Sequence, residues 1–284
     1  MAIKPKQVII WMLTGVLLTL SFSMVTIAQP TRAHLSLYWS HRETHLKQQP
    51  TSATVSLQVT YDPAQSQRAQ EIQGLMERTQ TLERFVNPIN QVLALPEPIT
   101  VLQAECGMVN AFYASEDRQI VMCYELVDYY LGLYNMHNVG VPTEIATVGA
   151  LSFVLLHELG HAIVDISNTP VLGREEDAVD QFATIIMSRT EIGHVAAQAA
   201  ASWFYLKSSG QDTTAMPYWD EHSFDMQRFF NIMCLLYGSA PDFYADLMQQ
   251  LNIPDYRLER CSGEYAQALD NWMQVLQPYV RGLL

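Results

Sequence analysis

The spacing of apolar positions changes character along the chain. Thr54-Val55-Ser56-Leu57-Gln58-Val59-Thr60-Tyr61 alternates with period two and predicts a strand. From about Ala64 to Asn90 the period becomes helical, with Ile72, Leu75, Met76, Leu82 and Phe85 on one stripe. Pro96 and Pro98 interrupt it, and Ile99-Thr100-Val101-Leu102 predicts a second strand. Asn110-Ala111-Phe112-Tyr113 and Gln119-Ile120-Val121-Met122-Cys123 flank the polar turn Ala114-Ser115-Glu116-Asp117-Arg118, a hairpin pattern. From Tyr124 onward the pattern is helical, with breaks near 139–142, 168–173, 208–217, 238–241 and 252–254. There is no internal repeat. The expected fold class is α+β, a small N-terminal antiparallel sheet followed by a larger helical part.

The N-terminus changes the picture of where this domain works. Lys4 and Lys6 precede an apolar run from Val8 to Ile27, and Ala28 offers a small residue before Gln29-Pro30. Residues 1–28 therefore predict an export signal, with an uncleaved membrane anchor as the alternative. Residues 29–52 are polar and predict a linker or poorly ordered segment, leaving 53–284 as one domain. No other stretch reads as long and apolar enough to span a membrane. The domain is thus expected outside the cytoplasm, periplasmic, secreted or anchored and facing outward.

With 49% hydrophobic and 16% charged residues a packed core is feasible, and a net charge of −13 leaves no basic footprint for nucleic acid. Four cysteines, Cys106, Cys123, Cys234 and Cys261, suit disulfides in an exported chain. Of three connectivities the sequence-local one is favoured, since each pair then brackets a compact segment. Free buried thiols are the alternative. No pair has the Cys-x2–4-Cys spacing of a metal site.

The chemistry concentrates in His157-Glu158-Leu159-Gly160-His161. Residues four apart on a helix share a face, so both imidazoles reach one ion. The apolar run from Ile145 to Leu156 predicts a buried helix carrying them inward. Neutral imidazoles bind Zn2+ without cancelling its charge, the ion activates water, and Glu158 is placed as the general base. A catalytic zinc site wants a third ligand, and position 167 is Ser, so the longer three-histidine pattern is absent. Beyond the break, a helix beginning near Arg174 carries Glu176 and Asp180 on one face. Glu176 is the candidate third ligand, with Glu175 the alternative; Asp180 is the candidate hydrogen-bond partner of a ligand imidazole, His157 first. Acids that merely complement the helix dipole explain Glu175 and Asp177 equally well.

The His157–His161 motif followed by Glu176-x-x-x-Asp180 resembles the gluzincin arrangement of thermolysin-like enzymes, which implies a zincin-like fold with one catalytic Zn2+ between the motif helix and the next. The interval from His161 to Glu176 is shorter than in thermolysin. The chain also resembles a bacterial family of putative metallopeptidases with no known substrate. The match runs through Cys106-Gly107, Asn110-Ala111-Phe112-Tyr113, Cys123-Tyr124-Glu125-Leu126, the histidine motif, Gly173–Asp180, and His222–Arg228 with Cys234. The resemblance implies that Asn110, Ala111 and Phe112 run alongside a bound peptide and pair with its backbone. It also implies a residue beyond the third ligand that steadies the developing oxyanion. His222 is the candidate, with Arg228 anchoring it or pairing with an acid behind a ligand. Ser223 and Asp225 have a plainer reading as cap and first turn of the following helix.

The expected function is zinc-dependent hydrolysis of peptide bonds in a peptide or protein substrate. Two other readings stand beside it. One is a zinc-containing binding or assembly factor without turnover, against which the general-base position of Glu158 argues. The other is a zinc amidase acting on a non-peptide polymer, which the same chemistry would serve. No phosphate loop, dinucleotide fingerprint or Gly-x-Ser-x-Gly nucleophile occurs.

Overall fold

The computed structural model describes residues 56–209 and 218–281. The predicted leader, the linker and most of the 208–217 break lie outside the described residues. Strand β1 (Leu57–Tyr61) leads into helices α1 (Gln67–Thr79) and α2 (Thr81–Val92), then β2 (Ile99–Ala104), β3 (Ala111–Ala114) and β4 (Gln119–Cys123). The rest is helical: α3 (Tyr124–Met136), α4 (Thr143–Ser167), α5 (Glu175–Met187), α6 (Glu191–Ser208), α7 (Asp225–Ser239), α8 (Pro241–Gln250) and α9 (Asp255–Leu276). A small sheet beside a larger helical part is the α+β class that the pattern predicts.

The sheet is mixed, which corrects the expectation of an antiparallel one. Its order is β1-β2-β4-β3; β1–β2 and β2–β4 are parallel, and only the β3–β4 hairpin is antiparallel. Alternation along a strand reports which side is buried, not which way the neighbour runs. The direction follows from the connection: α1 and α2 form the long crossover that parallel β1 and β2 require. The single helix expected from Ala64 to Asn90 is likewise two, broken at Gln80, whose φ of 50° is left-handed. A further unpredicted break, at Ser188–Thr190, separates α5 from α6. Ser223 does not cap α7; Phe224 holds that position without a side-chain cap.

Helix α4 is the axis of the helical part. It starts after Pro142 and ends at Asn168, a left-handed residue whose N–H bonds back to the Val164 and Asp165 carbonyls. By length and composition Thr143–Ser167 also passes as a membrane span, a second such stretch that the pattern reading passed over. Its apolar window is 83% buried inside the fold, because α3, α5, α6 and β3 all pack on it; it is a core helix that is apolar all round. Two glycines set close approaches. A Cβ on Gly149 would sit 2.7 Å from the Ala196 carbonyl oxygen of α6, and one on Gly160 would sit 2.8 Å from Val179 Cβ of α5. Helix α7 closes the other side, packing on α5, α6 and α9.

Disulfides join Cys106 to Cys123 and Cys234 to Cys261. The first ties the segment before β3 to the end of β4; the second staples α7 to α9. Two such bonds fit an oxidising, exported compartment.

Candidate metal centre

One face of α4 brings His157 and Glu158 into the interior, at 6% and 7% exposure, with His161 one turn further on. Helix α5 crosses this face with its acidic first turn, Glu175, Glu176 and Asp177. The ligand atoms of His157, His161 and Glu176 lie within 4.8 Å of one another. Glu176 Oε2 is 3.0 Å from His157 Nε2, and Glu176 Oε1 is 3.3 Å from His161 Nε2. Of the two acids that the sequence left open, Glu176 is therefore the one that faces both imidazoles.

The outer nitrogens of both rings are held. His157 Nδ1 lies 2.8 Å from Asp180 Oδ1, and Arg228 grips that carboxylate twice, Nε to Oδ2 and Nη2 to Oδ1, each at 2.7 Å. Burial alone would raise the Asp180 carboxyl, but Arg228 and His157 outweigh it and hold it below its ordinary value. An ionised Asp180 accepts a hydrogen bond from Nδ1–H, the tautomer that turns the Nε2 lone pair toward Glu176. His161 repeats the device with Glu175, whose Oε1 is 2.7 Å from Nδ1. The sequence offered that acid as an alternative ligand or a dipole partner; it stands behind a histidine instead.

These residues fit a cation. Two lone pairs and a carboxylate converge, and Glu176 Oε2, buried, accepts no hydrogen bond although two Nε2 atoms stand 3.0 Å away. Unpartnered buried carboxylate oxygens are uncommon, and a positive charge at this point removes the conflict. Without one, protons must serve. Burial pushes His157 down, but contacts with Asp180 and Glu176 prevail and hold its pKa at about 9. Burial would raise Glu176 too, yet the three surrounding imidazoles hold it far below the usual carboxylate range.

Glu158 lies beside this cluster, facing β3. Burial pushes its carboxyl above its ordinary value, against the pull of the two imidazoles and of the Tyr113 backbone amide. Among the described residues, strand β3 is an edge of the sheet. The Asn110 carbonyl accepts from Cys123 N–H. In an antiparallel pair bonding alternates, so the backbone groups of Ala111 and Tyr113 turn to the open edge. The Tyr113 hydroxyl donates to Asp165 Oδ2 at 2.9 Å, fastening this edge to α4 one turn past His161. Phe112 is exposed on the strand.

His222 comes from the loop before α7. Its Nε2 is 3.0 Å from Glu176 Oε2, its Nδ1 is 3.1 Å from Asp220 Oδ1, and its ring stacks on that of His157 at 6.3 Å between centroids. The contact with Glu176 raises its pKa, against partial burial. Arg228 does not bond His222 in the described contacts; of its two anticipated roles it takes the pairing with Asp180. A cavity of about 610 Å³ opens along the cluster, with Asn110, Ala111, His157, Glu158 and His222 in its lining together with the aromatic Trp203.

Two imidazoles and a carboxylate converging beside a cleft form a group able to hold a metal ion, with the donor set of a hydrolytic centre. The chain belongs to the family of putative metallopeptidases, whose sequence model matches residues 61–276. No curated protein and no solved structure matches it. The family's description points to a peptidase, and the donor set is one that a metal-dependent hydrolase uses.

Proposed function

We propose that the protein is a zinc-dependent peptidase in which His157, His161 and Glu176 hold one zinc ion and Glu158 is the general base. The observation carrying this reading is the convergence of two Nε2 lone pairs on Glu176 with an unligated carboxylate, Glu158, at the edge of an open cleft. His2Glu is a known catalytic zinc set, whereas a purely structural site closes its fourth position with protein. When bound, the ion supplies Lewis acidity and lowers the pKa of water to about 7.

The chain's own residues supply the rest. Glu158, with its affinity for a proton raised by burial, takes the proton of the attacking water and returns it to the leaving amine. Asp180 and Glu175 fix the imidazole tautomers, and Arg228 keeps Asp180 ionised. The edge groups of Ala111 offer an extended substrate two backbone hydrogen bonds, and Asn110 and Phe112 flank them. His222, already aimed at the cluster, donates to the oxyanion as it forms. An extended edge beside the base favours a peptide over a branched or cyclic polymer.

The test is hydrolysis of a peptide library by zinc-loaded protein. Glu158→Gln should keep zinc and lose about 10²–10⁴ in kcat. Full activity in that variant overturns the mechanism. No cleavage by the zinc-loaded wild-type protein favours the non-catalytic reading.

A further inference from the structure

A loop histidine can act on a metal cluster only if something outside its own loop fixes it. The segment from Tyr218 to Phe224 is neither helix nor strand, and the His222 side chain is 39% exposed. Its backbone nevertheless converges on one side chain. Arg174 Nη1 lies 3.1 Å from the Asp220 carbonyl oxygen, 3.2 Å from that of Glu221 and 2.9 Å from that of His222. Three carbonyl oxygens turned toward one point repel one another unless a cation stands there, and a guanidinium stays charged at any working pH. On the other side the Asp220 carboxylate accepts the His222 backbone N–H at 2.8 Å and meets Nδ1.

Arg174 is also the residue immediately before Glu175 and Glu176, at the N-cap of α5. Three consecutive residues therefore reach three different parts of the centre. Arg174 holds the loop carrying His222, Glu175 backs His161, and Glu176 faces the imidazoles. The His222–Glu176 separation is set within one short piece of backbone. A displacement of the loop would move His222 relative to Glu176 without touching the bonds that Asp180 and Glu175 make to the other two imidazoles.

We infer that Arg174 is a positioning residue that acts through His222, holding the loop backbone so that the imidazole is fixed against Glu176. This rests on the peptidase reading only for its kinetic consequence; the geometric claim stands apart from it. The experiment compares Arg174→Ala, Arg174→Lys, His222→Ala and the double variant R174A/H222A, using full-length zinc-loaded protein and a peptide that the wild type cleaves. Arg174→Ala should lower kcat by up to about 10²-fold, the scale of a small misplacement at a reacting centre, with KM and zinc content unchanged. Arg174→Lys should recover part of the loss. In the H222A background the alanine at 174 should cost nothing further, because the two act as a unit.

Losses that multiply in the double variant overturn the inference, as does wild-type kcat in Arg174→Ala. Long-range 1H–15N NMR of the His222 ring gives a readout independent of turnover. Arg174→Ala should shift or broaden its signals while those of His157 stay in place. Unchanged His222 signals refute the positioning role even if no peptide is ever cleaved, whereas shifted signals without any cleavage sink the peptidase reading and leave this one standing. Should Arg174→Ala fold poorly, Arg174→Gln, which keeps a donor, carries the same comparison.

Discussion

The two sides of the centre are built differently. The helical side holds His157, His161 and Glu176 between two packed helices, with Asp180 and Arg228 at 5% and 8% exposure behind them. The other side is an edge strand and a loop, fixed by the Tyr113–Asp165 bond and by the three Arg174 contacts, with exposed partners. In the proposed reading the first side holds the ion, and desolvated, doubly bonded groups fix its donors. The second meets a substrate that must enter and leave, and water-exposed bonds of modest strength suit that.

Four substitutions break or sharpen this contrast. Glu176→Gln should have the largest effect. Zinc content, read by atomic spectroscopy, falls to background, and hydrolysis goes with it, because a neutral amide cannot balance the ion beside two neutral imidazoles. Arg228→Met should follow. It leaves the Asp180 carboxylate buried without its cation, costing about 3–5 kcal/mol of stability in denaturant unfolding and about 10–100-fold in zinc affinity. Adding Asp180→Asn should restore part of that stability; if it restores none, the pair is not what holds this side. Tyr113→Phe should have the smallest effect. It removes one exposed hydrogen bond to Asp165, so kcat should fall about fivefold, roughly 1 kcal/mol, with zinc content and unfolding midpoint unchanged. A large loss of zinc in that variant would erase the distinction between the sides.

What could be read from the sequence follows the same division. His157 with His161, and Glu176 with Asp180, are each four apart, so helical periodicity alone puts them on shared faces. The cysteine pairs span short segments, and proximity in sequence is a fair guide to proximity in space. The strand directions and the partners Arg174, Asp165 and Glu175 were not legible in this way. Arg174 and Tyr113 meet groups 46 to 52 residues away, which no local period encodes. The parallel sheet was in principle recoverable from the long helical connection between β1 and β2. Glu175 was hidden by ambiguity: an acid in a first turn has a sufficient local reason to be there.

The glycine inside the histidine motif has a consequence for how closely the two halves of the centre approach each other. Nitrogen and carboxylate ligands hold zinc at about 2.0–2.2 Å, a tolerance of a few tenths of an ångström. The gap between α4 and α5 is gauged at Gly160, where even a methyl group would press on Val179 Cβ and Cγ1 at 2.8 Å, and Cβ is an atom that no rotamer change moves. Any larger residue there would act as a shim between these helices, which carry the imidazoles and Glu176. The approach of the two helices that carry His157, His161 and Glu176 is thus set by a residue with no side chain.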